Sequence, residues 1–141
     1  MTDRYWALPK QALYIAILIG VYSGNVMALD SSDAEKQGRH RYFQSCVICH
    51  GEDAKGTGMM AKMLNVKSAD LTTLTRNNGG EFPFERIYEK IDGRDMPQAH
   101  GMREMPVWGK IWEDDTQCSP ADTFVRGRIL EIIIYLRSIQ E

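Results

Sequence analysis

Cys46-Val47-Ile48-Cys49-His50 constrains this chain more than any other stretch. Two thiols three residues apart, with an imidazole directly after the second, form the pattern by which a haem is bonded to a polypeptide and its iron held from one side. In a helical segment residues three apart share a face, so Cys46 and Cys49 both reach the vinyl groups along one edge of a porphyrin. His50 then sits beside the second attachment point, where its ring turns over the porphyrin toward the iron. A chain of 141 residues buries only a modest share of its surface, and a haem at its centre supplies much of the missing core.

Other chemistries use the same residue types. A thiol–disulfide motif wants a preceding strand and a βαβ context, whereas the residues upstream of Cys46 look helical. Zinc needs four ligands, and Cys46, Cys49, Cys118 and a histidine would make a Cys3His set. Structural zinc sites usually show a second closely spaced pair, and Cys118 stands alone. Gly56-Thr57-Gly58 is a lone G-x-G with no strand before it, a weak signal for a nucleotide site.

The compartment agrees with the haem reading. Residues 1–28 run from Arg4 and Lys10 through an apolar stretch, Ala12 to Tyr22, to Val26-Met27-Ala28, the small-residue pattern of a signal peptide cleaved after Ala28. That stretch is shorter than the roughly 20 residues a spanning helix needs. Export to the periplasm is therefore expected, with residues 29–141 as one domain carrying one haem, and a membrane association only through an uncleaved leader or a partner complex. Cys118 is the odd thiol, expected to be unpaired or to link a disulfide dimer. With 17 basic and 19 acidic residues the chain is mildly acidic, and no basic cluster reads as a nucleic-acid face. Lys36, Lys55, Lys62, Lys67, Lys90 and Lys110 are ordinary solvated lysines or a docking ring for a partner.

The pattern along the chain predicts an all-α fold with long loops. Ser32-Asp33-Ala34-Glu35 reads as a capping box opening a first helix that runs up to Cys46. A loop is expected over 51–60, with short helical turns over 59–64 and 70–76, the latter capped by Asp70. Pro83 opens a helix with Phe84, Ile87, Tyr88 and Ile91 on one face, and Asp92-Gly93 closes it. A long loop is expected over 93–118. Ser119 and Pro120 then start a final helix whose buried face carries Phe124, Ile129, Ile132, Ile133, Leu136 and Ile139. Met59, Met60 and Met63 read as core packing, where thioethers fill gaps.

Taken together, Cys46-Val47-Ile48-Cys49-His50-Gly51, Gly56-Thr57-Gly58, Asp70-Leu71-Thr72, Gly93, Met105-Pro106-Val107-Trp108-Gly109 and the final amphipathic helix resemble a class I c-type cytochrome over residues 32–141. The resemblance implies terminal helices that cross, a haem in a crevice between helices and loops, Cys46 and Cys49 as thioether residues, His50 as proximal ligand and Met105 as distal ligand. Ala69 departs from the pattern, since many relatives carry Pro there. A second Met-Pro pair, Met96-Pro97, competes for the distal position, because proline stiffens the chain after either sulfur. Met102 and His100 are further alternatives, His40 reads as a surface residue, and Tyr88 and Trp108 are aromatic candidates to pack on the porphyrin.

The function implied is that of an electron carrier, not an enzyme, passing single electrons from a redox donor protein to an acceptor through one covalent haem c with His50 and Met105 on the iron. Two alternatives stand beside it. One is a cytochrome subunit of a dehydrogenase or oxidase complex, held by Cys118 or by the leader. The other is a haem enzyme or gas sensor whose distal ligand is labile, with His100 and Arg103 near an open iron.

Overall fold

The computed structural model describes residues 31–95, 105–117 and 120–141. The expectations that rest on the leader, Met96, His100, Met102, Arg103, Cys118 and Ser119 lie outside the described residues. Within them the chain is helical and no strand occurs: α1 (Ser31–Ser45), α2 (Val47–His50), α3 (Phe84–Asp92), α4 (Trp108–Asp115) and α5 (Ala121–Ser138), with 3-10 turns at Met59–Met63, Leu71–Thr73 and Arg76–Asn78. Among the described residues no helix is long and apolar enough to cross a membrane.

The core forms where the first and last of these helices meet. Tyr42 of α1 and Val125, Ile129, Ile132 and Ile133 of α5 are fully buried there, joined by Tyr135 and Leu136. Gly38 makes the crossing possible. A Cβ at this position would lie 1.9 Å from the Glu131 carbonyl oxygen and 2.6 Å from its carbon, so the two backbones touch where no side chain fits. Glycine inside a helix costs about 0.5–1 kcal/mol relative to alanine, and here the loss is offset by close packing. Arg41 pairs with Glu131 beside the contact, and the Tyr42 and Tyr135 rings lie 5.3 Å apart.

The smaller helices pack onto this pair. Arg94, just after α3, joins two of them to α5: its guanidinium donates to Asp92 at the end of α3 (2.7 Å), to Glu113 of α4 (3.4 Å) and to Asp122 of α5 (3.0 Å). The bond to Asp92 does most to push the guanidinium further above its already high range. These residues, with Tyr88, Asp95 and Arg126, line an open cleft of about 440 Å³.

Several expectations are corrected. The loop expected over 93–118 contains α4, whose sequence, Trp-Gly-Lys-Ile-Trp-Glu-Asp-Asp, is a poor isolated helix with acidic residues at the end that disfavours them. Packing makes it helical: Trp112 is buried, Trp108 stacks on it at 5.3 Å, and Lys110 pairs with Asp114 one turn on. Met59 and Met63 are not core residues, being 76% and 74% exposed. They lie on a single short turn laid against α2, which is too small to bury its own side chains. Phe84 is exposed rather than part of the buried face of α3, while Ile87, Tyr88 and Ile91 keep to it. Phe124 is half-buried under the Arg128 guanidinium (4.5 Å), and its neighbour Val125 takes the core position. Finally, α1 already includes Ser31, one residue before the expected cap at Ser32.

Candidate functional site

The three motif residues share one turn. The Cys46 N–H donates to the Tyr42 carbonyl (2.8 Å), ending α1, and the Cys46 carbonyl then accepts from both Cys49 (3.2 Å) and His50 (2.9 Å) to start α2. Cys46 is buried, Cys49 and His50 are half-buried, and both thiols are free. Burial, and next the neighbouring Cys49, push the Cys46 thiol up to about 12. A thiol held protonated in this way is unlike the low-pKa attacking thiol of disulfide exchange. Among the described residues no group of three or more His, Cys, Asp and Glu side chains is arranged to hold a metal ion.

His50 is oriented by the main chain. Its Nδ1 lies 3.0 Å from the Ala69 carbonyl oxygen, so Nδ1 carries the hydrogen and Nε2 keeps a free lone pair. Burial lowers the His50 pKa, and the carbonyl bond opposes that only in part, so the neutral ring is favoured. A metal-binding histidine typically shows this arrangement, with its second nitrogen donating to a carbonyl that fixes tautomer and ring orientation.

The turn that supplies the carbonyl is locked to the loop after the motif. The Gly56 N–H donates to the His50 carbonyl (2.8 Å) and the Leu71 N–H to the Ala54 carbonyl (2.7 Å). Gly56 has a φ of +77°, and a Cβ there would lie 2.3 Å from the Ser68 carbonyl oxygen, so glycine serves both the backbone angle and the close approach. Asp70 caps the turn as expected, accepting from the Thr72 N–H (2.9 Å) and hydroxyl (2.6 Å). On the other side of the motif the buried Tyr42 hydroxyl donates to the Gly51 carbonyl (2.7 Å), joining the residue after His50 to the core.

Met105 lies in the segment leading into α4, half-buried against the core cluster that includes Cys46. Trp108 stacks on Trp112, and Tyr88 stacks on Phe84 with centroids 6.5 Å apart. His40 is exposed, as expected of a surface residue. All six lysines are exposed, and Lys36, Lys55 and Lys110 pair with Asp33, Glu141 and Asp114. An open cleft of about 630 Å³ runs beside the motif, lined by Val47, Ile48, Asp53, Thr57 and Met59 among others. Sequence reading missed the Ala69 carbonyl, the Tyr42 hydroxyl and the clamp at Gln140 described below. The first is a backbone atom, which leaves no residue signature, and the others act across the fold.

A haem fits this donor set: two free thiols one turn apart, and an imidazole whose Nδ1 is engaged by a main-chain carbonyl, leaving the Nε2 lone pair to bind a metal. No family model matches the chain, and no curated protein or solved structure matches it.

Proposed function

We propose that this chain is an exported class I c-type cytochrome that carries single electrons between redox proteins. The observation that carries the reading is the Ala69–His50 hydrogen bond beside the paired free thiols, which presents a neutral imidazole with its Nε2 available on the same turn as both attachment points. The crossing of α1 and α5 at Gly38 agrees with the terminal helix pair the resemblance implies.

On this reading Cys46 and Cys49 would hold the haem covalently through their sulfurs. His50 would bind its iron through Nε2 and Met105 through its thioether. When bound, the haem supplies a one-electron couple, and a His/Met pair raises its potential relative to nitrogen-only ligation. The remaining work belongs to the polypeptide. Ala69 keeps the imidazole neutral and aimed, Tyr42 and Gly51 fix the motif to the core, and Pro106 stiffens the chain after the Met105 sulfur. An iron bound by both side chains would leave no open position for a substrate, which suits a carrier rather than an enzyme.

The test is the absorption spectrum of protein exported by a host competent in cytochrome maturation. A low-spin reduced spectrum insensitive to carbon monoxide, together with a haem that survives denaturation on the chain, is the expected result. Rapid carbon monoxide binding would point to the enzyme or sensor alternative. A colourless protein with both thiols free would overturn the reading.

A further inference from the structure

The carbonyl that aims His50 lies just before a short 3-10 turn over residues 71–73, capped from within by Asp70, whose flanks are held from two sides by other parts of the chain. The loop after the motif grips one side at Leu71. Gln140, two residues beyond α5, grips the other: its Oε1 accepts from the Thr75 N–H (2.8 Å), and its Nε2 donates to the carbonyls of Leu71 (2.8 Å) and Leu136 (2.6 Å). Both donors and the acceptor of this half-buried amide are engaged, and the opposite rotamer would set donor against donor. Glu141 adds a second strap, its N–H donating to the Thr72 carbonyl (2.9 Å) and its carboxylate pairing with Lys55 (2.7 Å).

We propose that Gln140 is a positioning residue for the His50 imidazole: by spanning Leu71 and Thr75 it fixes the turn whose Ala69 carbonyl sets the tautomer and orientation of the ring. The inference deepens the reading of His50 as an iron ligand and rests on it. The link is chemical as well as mechanical. A firm bond from Nδ1–H to a carbonyl makes Nε2 more basic, and a more basic ligand favours ferric over ferrous iron. A loosened turn weakens the bond and shifts the equilibrium toward ferrous. Gln140 also ends α5 through its bond to Leu136, and a helix cap alone would affect stability without touching the imidazole.

Gln140→Met separates the two roles, keeping the length and apolar stem while deleting all three bonds. In the full haem-loaded chain we expect hydrogen exchange at His50 Nδ1, followed by NMR, to speed up about tenfold. The one-electron equilibrium is expected to move about threefold toward the reduced form, roughly 30 mV upward at about 59 mV per tenfold. Ile132→Val in the α1–α5 core is the control: it lowers Tm and leaves both readouts alone. Should Gln140→Met lower Tm while potential and exchange stay at wild-type values, Gln140 is a cap and the proposal is wrong. If that variant does not fold, Gln140→Glu keeps the acceptor for Thr75 and loses the donors, and is expected to show the same shifts at smaller size; unchanged readouts there overturn the proposal too. A protein that emerges without haem refutes the cytochrome reading by itself, and His50 Nδ1 exchange in the colourless chain then decides the clamp, equal rates in wild type and variant counting against it.

Discussion

A single hydrogen bond, from His50 Nδ1 to the Ala69 carbonyl, sets the tautomer of the imidazole, and in the proposed haem site a single thioether, that of Met105, would be the second iron ligand. Met105→Ala is expected to remove the sulfur-to-iron absorption band, lower the midpoint potential and open the iron to carbon monoxide. A band that persists in the variant would move the ligand to Met96 or Met102. Tyr42→Phe should leave the spectrum in place and cost about 1 kcal/mol, the usual worth of a buried hydroxyl bond, because the Gly51 carbonyl loses its donor; chemical denaturation of the two proteins reads the difference. Residues at fixed short spacing were legible in the sequence. Cys46, Cys49, His50 and the Asp70 cap each announce themselves within a few positions. The Ala69 carbonyl and Gln140 do not. One is a main-chain atom, and the other meets its partner Leu71 across 69 residues, a pairing with no local signature.

Among the helices, legibility followed periodicity. The first helix, the helix after Pro83 and the last helix were expected where α1, α3 and α5 lie, the first from its capping box and the other two from a start signal followed by apolar residues at helical spacing. The α4 helix was hidden because its stability comes from Trp112 entering the core and not from propensity or capping. The resemblance implied that the terminal helices cross, but their close contact at Gly38 was not readable, and its consequence is sharp. Gly38→Val places a branched side chain against the main chain of Glu131, which cannot yield as a flexible side chain would. Overpacking of this kind costs about 3 kcal/mol, and a fall in Tm with an unchanged haem spectrum in the surviving folded fraction is the expected result. Gly127, with nothing near its absent Cβ, supplies the contrast: Gly127→Ala should be neutral or stabilise α5 by up to ~1 kcal/mol.

For the whole molecule, acid is the condition to which the charge pattern is most sensitive. Hydrogen bonds hold three carboxyls below the usual range: Asp122 chiefly by Arg94, Asp70 by the Thr72 hydroxyl, and Asp53 by the Lys55 N–H and then the Thr57 hydroxyl. A carboxyl whose folded pKa is depressed contributes stability that is fully present above its unfolded value, about 3.9, and lost as the pH falls through the folded value. The contribution of these carboxyls to the melting temperature should therefore hold level from neutral pH to about 5 and fade below about 4. The gap between wild type and Asp122→Asn should narrow over the same acid range, and a gap of constant width would show that Arg94 does not draw on the ionised carboxylate.

The Arg41–Glu131 pair bridges 90 positions of sequence, and the crossing it flanks is the floor on which the turn carrying Cys46, Cys49 and His50 is built. Drawing together ends so far apart costs roughly 4 kcal/mol of chain entropy before any contact repays it. The core at this crossing takes residues from both helices. A protease nick between α1 and α5 that let the pieces drift apart should therefore dismantle the proposed haem site along with the scaffold, so that colour and compactness disappear as one event.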